Sequence, residues 1–171
     1  YTGSWCVSDS DFGPIAHARL GPGGDNSGAL VAKVRTEAAR IAKQEDRPYV
    51  LVDSPPGTGC PAISALTGAD LALVVTEPTP SGTSDLMRVL ALASSFSIPA
   101  AVLINKSDLS TETSDAIAAQ VQQHGGRVIS RLPYSDEVRQ SILDAQVLST
   151  TSRTWHLRFE YLWNVMLEML D

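Results

Sequence analysis

One short segment combines residue types that can contact a nucleotide phosphate and its metal ion. It reads Asp53-Ser54-Pro55-Pro56-Gly57 and directly follows the apolar run Tyr49-Val50-Leu51-Val52. An aspartate at a strand end can hold Mg²⁺ through water, because Mg²⁺ keeps most of its own water ligands. The prolines fix the backbone, and a glycine lets a γ-phosphate approach a backbone N–H. The segment predicts a magnesium-sensing, phosphate-facing site, although a rigid turn into a helix explains it equally well.

Two further segments leave the ends of apolar runs and could contact a base. In Asn105-Lys106-Ser107-Asp108, the amide can meet a purine edge, the lysine stem can lie on a base, and the carboxylate can accept two donors from guanine. Arg131-Leu132-Pro133-Tyr134 could border the base with main-chain atoms and an aromatic ring. If the strands are parallel, both segments open onto the same edge of the sheet as Asp53. Taken alone, the first is also explained as a turn with a helix cap, and the second as a strand ended by proline.

The glycines also match a dinucleotide-binding pattern, G-x-G-x-x-A, at residues 57–62, and Glu77 follows where a ribose-binding acid would lie. Asp53 and two prolines separate the preceding run from the first glycine, and too few residues follow for the usual crossover helix. An NAD-binding oxidoreductase is therefore the least favoured alternative. The spacing of the histidines and of Cys6 and Cys60 predicts neither a disulfide nor a zinc site, and a redox role for Cys60 stays open.

The elements that must position these segments alternate between strands and helices. Short runs that are apolar on both faces predict buried parallel strands, and the stretches between them predict helices. The predicted strands are 49–52, 71–76, 100–104 and 127–132, and the predicted helices are 29–43, 83–96, 112–124 and 136–145. Residues 4–8 predict an edge strand, and Ser27, in a glycine-rich turn, a helix cap. We therefore predict one α/β domain over residues 1–171, with a mostly parallel sheet between two helical layers.

Composition narrows the class of partner. The chain has 171 residues, a net charge of −6 and no basic stripe, which argues against nucleic acid. No apolar run approaches the roughly 20 residues of a spanning helix, so we expect a cytoplasmic protein. The last segment, 155–170, predicts an amphipathic helix with an apolar face formed by Trp155, Phe159, Leu162, Trp163, Met166 and Leu170. Because its polar face lacks lysines, we expect that face to pack on the sheet rather than on a membrane.

In order and spacing, four segments resemble the MinD/ParA/Mrp/nitrogenase-iron-protein class of deviant P-loop ATPases. They are VDSPPGTGCP at 52–61, LTGADLALVVTEPTPSG at 66–82, NKSD at 105–108 and RLPY at 131–134. The chain is most similar to the MinD-type ATPases that carry an inserted ferredoxin domain, where SGALVAKVR at 27–35 and FGPIAHARLG at 12–21 also have counterparts. The resemblance implies a CbiA-like nucleotide-binding domain with a three-layer, P-loop NTPase-like fold.

The resemblance also implies roles for individual residues. Asp53 would be the Walker B aspartate, linked to Mg²⁺ through water, and Pro55, Pro56 and Gly57 would form switch II. Asn105 and the Pro133 loop would border the adenine of ATP or ADP, with Lys106, Asp108 and Tyr134 in the same base-binding loops. Members of the class form homodimers around ATP and serve iron–sulfur assembly or electron delivery, which implies an iron–sulfur or redox partner.

The departure from the class is the phosphate loop, because the chain has neither G-x-x-x-x-G-K-[ST] nor any Gly-Lys pair. The resemblance places that loop, and the insertion that would hold any iron–sulfur cluster, before Tyr1. In that class, the strand that leads into the phosphate loop would lie beside residues 49–52. Without it, the N–H and C=O groups along that edge of the sheet would be unpaired. We hypothesise that this chain is the C-terminal portion of an ATPase and is inactive alone.

Two alternatives stay open. One is a non-catalytic binding or scaffold module of the same fold. The other is a GTP-binding protein, because Asp108 completes a base-recognition segment of GTPase type, although the D-x-x-x-G spacing at 53–57 differs from the D-x-x-G of Ras-like GTPases.

Overall fold

The structure, a computed structural model, describes residues 3–21 and 27–171. The chain divides into two compact units, Tyr1–Thr67 and Gly68–Asp171. Each unit has its own secondary structure, and the single domain expected over residues 1–171 stays a prediction.

The first unit contains an antiparallel hairpin and two helices. The elements are β1 (Gly3–Ser10), β2 (Gly13–Leu20), α1 (Ser27–Gln44) and α2 (Cys60–Leu66). The strand expected at 4–8 is present as β1, but it belongs to a separate two-stranded antiparallel sheet, and β2 and α2 are additional to the predicted elements. Helix α1 matches the predicted helix at 29–43 and begins at Ser27. The glycine-rich turn predicted before it falls largely on residues 22–26, outside the described residues.

Helix α1 packs on one face of the hairpin. Leu30 lies against Gly3, where an added Cβ would come within 3.0 Å of the leucine side chain. The Lys33 ammonium lies over the Trp5 ring, 4.9 Å from its centroid. One turn further along α1, the Arg40 guanidinium donates to Glu37 at 2.5 Å and lowers the pKa of that carboxyl. The hairpin is therefore covered on one face by a helix that also carries its own surface ion pairs.

The strand predicted at 49–52 is wrong for this structure, because these residues belong to neither sheet. Val50 is 44% exposed and Leu51 is 86% exposed. A strand is stable only where a neighbour satisfies its N–H and C=O groups, and no described strand of the first unit lies beside this run. The apolar composition suits a strand, but the required neighbour is not among the described residues.

The second unit is built around a three-stranded parallel sheet with the order β3–β4–β5. The strands are β3 (Ala72–Thr76), β4 (Ala100–Ile104) and β5 (Arg127–Arg131). The helices are α3 (Pro80–Ser95), α4 (Thr111–Gln123), α5 (Asp136–Leu143), α6 (Leu148–Thr151) and α7 (Arg153–Glu168). An α/β architecture with a parallel sheet flanked by helices is confirmed, and α6 and a 3-10 turn at Ser107–Leu109 are additional to the predicted elements here.

Helices flank both faces of this sheet, although Leu73 and Val75 of β3 stay 40% and 56% exposed on the face that carries α7. Strand β4 is central, and all five of its residues are buried. Alternate residues of a strand face opposite sides, so β4 contributes to two apolar layers. One layer joins Ala101 and Leu103 of β4 with α7. Helices α3 and α4 supply the other layer through Leu86, Leu90, Ala93, Ile117 and Val121.

The C-terminal helix packs on the sheet, as its apolar pattern predicts. Its buried residues are Trp155, Leu162 and Val165, and the Trp155 indole N–H donates to Glu137 of α5 at 3.0 Å. The predicted face was too broad, because Phe159, Trp163 and Leu170 are 39%, 37% and 42% exposed. Val165 belongs to the buried stripe instead. Across residues 3–21 and 27–171, every helix is too short or too polar to cross a bilayer.

Replacing a core leucine tests the layer formed by α3. Leu90 is 2% exposed, so Leu90→Ala should lower the free energy of unfolding by about 2–5 kcal/mol through lost apolar contacts and a cavity. Leu109, at 62% exposure, provides the matched control, and Leu109→Ala should change it by less than about 0.5 kcal/mol. Urea unfolding followed by circular dichroism measures both, and equal effects of the two substitutions would contradict the assigned core.

Candidate functional site

Three loops lie side by side at the carboxyl edge of the sheet in the second unit. We name them the edge loops, and they cover residues 77–79, 105–110 and 132–135, after β3, β4 and β5. The Asn105 N–H donates to the Thr76 carbonyl at 2.7 Å, and the Leu132 N–H donates to the Ile104 carbonyl at 2.9 Å. Parallel pairing therefore brings the two predicted base-binding segments to the same edge of the sheet.

The loop after β4 is fixed by contacts to its neighbours. Lys106 has φ +51°, in the left-handed region, and a short 3-10 turn follows at Ser107–Leu109. Both the backbone N–H and the hydroxyl of Ser107 donate to the Leu132 carbonyl, at 2.9 and 3.2 Å. The fully buried Ser114 hydroxyl donates to the Ser107 carbonyl at 2.9 Å. These bonds preorganise the loop, which matters because ligand contacts from a rigid loop cost less ordering entropy.

Asp108 connects the loop after β4 to the loop after β5. Its carboxylate accepts a hydrogen bond from the Tyr134 backbone N–H at 2.6 Å. The preceding residue, Pro133, has no N–H to offer and holds its own φ near one value. One oxygen of the carboxylate predicted to recognise guanine is therefore engaged by the protein itself. The carboxylate positions Tyr134 and Pro133 as much as it presents a group to a ligand.

A lysine–glutamate pair connects the loop after β4 to the loop after β3. The Lys106 ammonium lies 2.7 Å from a Glu77 carboxylate oxygen, and both side chains are more than a third exposed. An ion pair with this exposure adds little to stability, so its main effect is to orient the lysine stem across the edge. Sequence reasoning considered Glu77 only as a ribose-binding acid. Opposite charges at the ends of neighbouring strands were the signal that could have predicted the pair.

The turn from β3 into α3 depends on two threonines and a glycine. The Thr79 hydroxyl caps α3 by accepting from the Gly82 N–H at 3.0 Å, and the buried Thr76 hydroxyl donates to the Gly82 carbonyl at 3.1 Å. A Cβ on Gly82 would lie 2.6 Å from the Glu77 carbonyl oxygen, so no side chain fits there. From the sequence alone, no role was assigned to Thr76, Thr79 or Gly82. A threonine directly before the start of a helix is nevertheless a recognisable N-cap.

The first unit carries the other predicted site residues on residues 53–59, which we name the switch segment. Asp53, Pro55 and Pro56 are exposed, and the segment leads into α2 after Gly59. Gly57 has φ +88°, and apart from its two chain neighbours no residue comes within 4 Å of the position of a Cβ there. A side chain at residue 57 would therefore be strained by its backbone rather than by crowding. The open space next to Gly57 leaves room for a ligand to approach its backbone.

Helix α1 holds the helix that follows the switch segment. The Arg35 guanidinium donates to the Ser64 carbonyl at 2.8 Å and to the Thr67 carbonyl at the end of α2. A cation at a helix C-terminus also interacts favourably with the helix dipole. At Gly28, an added Cβ would lie 3.1 Å from the Ser64 hydroxyl, so α1 and α2 approach closely. Sequence reasoning gave no role to Arg35, and nothing in its local sequence indicates that it contacts α2.

Metal chemistry at the switch segment would depend on one carboxylate. Among the described residues, no three His, Cys, Asp or Glu side chains form a metal-binding group. A magnesium ion held by substrate phosphates, water and one aspartate does not require such a group. An exposed Asp53 can fill that role through a bridging water.

Comparison with known proteins identifies two relatives and no family. No protein-family model matches the chain. The chain is 35% identical over 79 residues to the uncharacterized protein MJ0579 of Methanocaldococcus jannaschii, a match that covers 46% of this chain and 29% of the relative. It is 30% identical over 93 residues to the uncharacterized protein MJ0578 of the same organism, which covers 54% of this chain and 32% of the relative. The chain therefore aligns with about a third of the length of each of these relatives.

The contact between Asp108 and Tyr134 can be tested by substitution. Asp108→Ala should lower the free energy of unfolding by about 1 kcal/mol, because the Tyr134 N–H loses a charged acceptor. Hydrogen exchange at the Tyr134 amide should accelerate at the same time. Asp85→Ala is the control, because Asp85 pairs with Arg88 at 3.6 Å and both side chains are well exposed. Unchanged exchange at Tyr134 in the Asp108 variant would contradict a positioning role for the carboxylate.

Proposed function

We propose that this chain supplies the magnesium-sensing and base-binding portion of a MinD-like, P-loop-class ATPase. The observation that carries the proposal is the contact between Asp108 and Tyr134, which joins the loops after β4 and β5 at one edge of a parallel sheet. In open α/β sheets, ligands bind outside the carboxyl ends of the strands. The predicted base-binding residues Asn105, Lys106, Asp108, Pro133 and Tyr134 all lie on those loops.

Asn105 is the residue we assign to the base. Its backbone N–H donates to the Thr76 carbonyl at 2.7 Å, which fixes the residue at the carboxyl edge of the sheet. An amide provides both a donor and an acceptor, which suits the N7 and amino edge of adenine. Guanine would be recognised by the Asp108 carboxylate, one oxygen of which already accepts the Tyr134 N–H and is therefore partly engaged. This contact favours ATP over GTP.

The switch segment is assigned to the phosphates and Mg²⁺. Asp53 would accept hydrogen bonds from waters on the metal ion, and the Gly57 N–H would donate to a γ-phosphate oxygen. Pro55 and Pro56 restrict the backbone between them, so the loss of one phosphate contact can move the segment as a unit. Arg35 holds α2 at the Ser64 and Thr67 carbonyls, so such a movement would end at α2 on the C-terminal side of the segment.

The chain alone is proposed to be inactive, because the lysine-bearing phosphate loop of the class is absent from its sequence. The resemblance implies that this loop and a strand beside residues 49–52 precede Tyr1, where a cluster-binding insertion would also lie. The lengths of the matched relatives, of which the alignments cover 29% and 32%, leave room for such segments. The intact protein would act as a cytoplasmic homodimer with an iron–sulfur or redox partner.

Magnesium-dependent phosphate release from ATP tests the proposal in the intact protein, which includes whatever residues its gene encodes before Tyr1. Asp53→Asn should lower the rate on the order of 100-fold, because the metal ion loses its anchoring charge. Asp70→Asn is the matched control, since Asp70 is exposed and lies outside both the switch segment and the edge loops. An Asp53 variant with the rate of the unmodified protein would refute the assigned role.

The 171-residue chain provides the complementary test. Its ATP hydrolysis should not exceed that of its Asp53→Ala variant, and a clear excess would overturn the claim that it is incomplete. Nucleotide binding to the intact protein without any turnover would favour the scaffold alternative. Saturable NADH binding that Gly57→Val abolishes and Asp53→Ala leaves unchanged would instead favour a dinucleotide site at residues 57–62.

A further inference from the structure

A thiol and an imidazole lie side by side on the exposed face of the hairpin. Cys6 and His17 are directly opposite in the register of β1 and β2, and the cysteine Sγ lies 3.3 Å from the histidine Nε2. The Ser8 hydroxyl, on the same face of β1, contacts the same Nε2 at 2.9 Å. Trp5 points to the opposite face, where Lys33 of α1 covers its ring. The pair therefore faces away from the helix that packs on the hairpin.

The separation of these two atoms fits adjacent ligands of a tetrahedral metal ion. Zinc binds thiolate sulfur and imidazole nitrogen with bond lengths that place the two atoms about 3.6 Å apart at a tetrahedral angle. A linear arrangement would place them about 4.3 Å apart. The observed 3.3 Å from Cys6 Sγ to His17 Nε2 is close to the tetrahedral value and far from the linear one. Nδ1 is more distant, at 3.8 Å, so Nε2 is the nitrogen presented to an ion.

We propose that Cys6 and His17 form half of a zinc site and that the same two residues of a second copy complete it. A structural zinc ion takes four ligands, and within the described residues no third His, Cys, Asp or Glu side chain joins this pair. A two-fold axis through the ion, with two hairpin faces opposed, gives a Cys₂His₂ site. Such an interface is isologous, because each copy contributes the same patch.

The chemistry of the proposed site balances in charge and in protons. Each Cys6 thiol releases one proton on binding, and two thiolates neutralise Zn²⁺ when the imidazoles are neutral. The Nε2 of His17 exchanges its contact with the exposed Ser8 hydroxyl for the ion, which costs little because that hydroxyl can turn to water. The metal is therefore held at the interface without an uncompensated charge.

The surroundings of the pair add to the proposed interface. Ile15 lies on the same face as His17, opposite Ser8 in the register, and is 50% exposed. Opposing two hairpin faces would remove both copies of this side chain from water, at a gain of roughly 25 cal/mol per Å² of apolar area. A two-stranded hairpin is marginally stable by itself, so a bond from each strand to one ion would also hold β1 and β2 together.

Cobalt titration of the reduced chain, kept reduced with a phosphine, tests the proposal without any nucleotide. Co²⁺ should saturate at half an equivalent per chain, with a thiolate-to-cobalt charge-transfer band and the intense visible bands of tetrahedral cobalt. Sedimentation should change from monomer to dimer over the same range, and Zn²⁺ should displace the cobalt. Saturation at one cobalt per monomer, or cobalt spectra without a thiolate band, would overturn the shared site.

Matched variants identify the ligands. Cys6→Ser and His17→Gln should each weaken cobalt binding by more than about tenfold and abolish metal-dependent dimerisation. Cys60→Ser and His156→Gln replace another exposed cysteine and another exposed histidine, and they should leave the titration unchanged. Far-ultraviolet circular dichroism confirms that each variant is folded. A thiolate–cobalt spectrum that survives in Cys6→Ser but disappears in Cys60→Ser would assign the thiol to Cys60 and refute the proposal.

Discussion

The arrangement of the edge loops depends on the burial of β4 between two parallel neighbours. All five residues of β4 are buried, and hydrogen bonds on both of its edges fix where it ends. Asn105 must then emerge between the ends of β3 and β5, whatever the loop sequences are. The pairs Glu77–Lys106 and Asp108–Tyr134 form because the ladders bring distant parts of the chain to one edge. The apolar interior of the sheet thus determines which polar groups can meet at its rim.

The switch segment is held in a different way. Its C-terminal end leads into α2, which is held against α1 by the Arg35 hydrogen bonds and by close packing at Gly28. The other end continues from residues 49–52, which belong to neither sheet. A segment held firmly at one end, with exposed backbone and few buried contacts, belongs to the least stable part of a fold. Segments that respond to a ligand come from this part, because the ligand then needs little free energy to reorder them.

The success of sequence reasoning varied with how local the controlling interaction is. Strand 100–104 was predicted with its observed bounds, because a continuous apolar run between breakers identifies a buried strand. Residues 49–52 have the same pattern but form no strand. An apolar run indicates a propensity for β-structure, but it does not indicate whether a neighbouring strand is present to pair with it. Strand β2 lacks a clear alternation of apolar residues, and its pairing follows from the turn at Asp11 and Phe12.

Individual contacts at the site were less accessible to such reasoning. The order of elements predicted that the segments at 105–108 and 131–134 share an edge, since parallel strands end at the same side. That Asp108 binds a backbone N–H of Tyr134, or that Cys6 meets His17, depends on register and loop geometry, which a single sequence does not specify. The second pair could not be predicted without β2, because the cysteine and the histidine are eleven positions apart in the chain and only the hairpin brings them together.

The open side of β3 has a consequence for the order of folding. Strand β4 pairs with β3, and β5 pairs with β4, each after a crossover through one α-helix, so the second unit joins consecutive elements and can form its core early. Among the described residues, no strand pairs with the outer edge of β3. A further strand that pairs with this edge would add to a three-stranded sheet that has already formed. Its addition would therefore be a late step of folding, and it would not belong to the folding nucleus. Such a strand needs little intrinsic propensity of its own, because the existing sheet supplies its pairing and register.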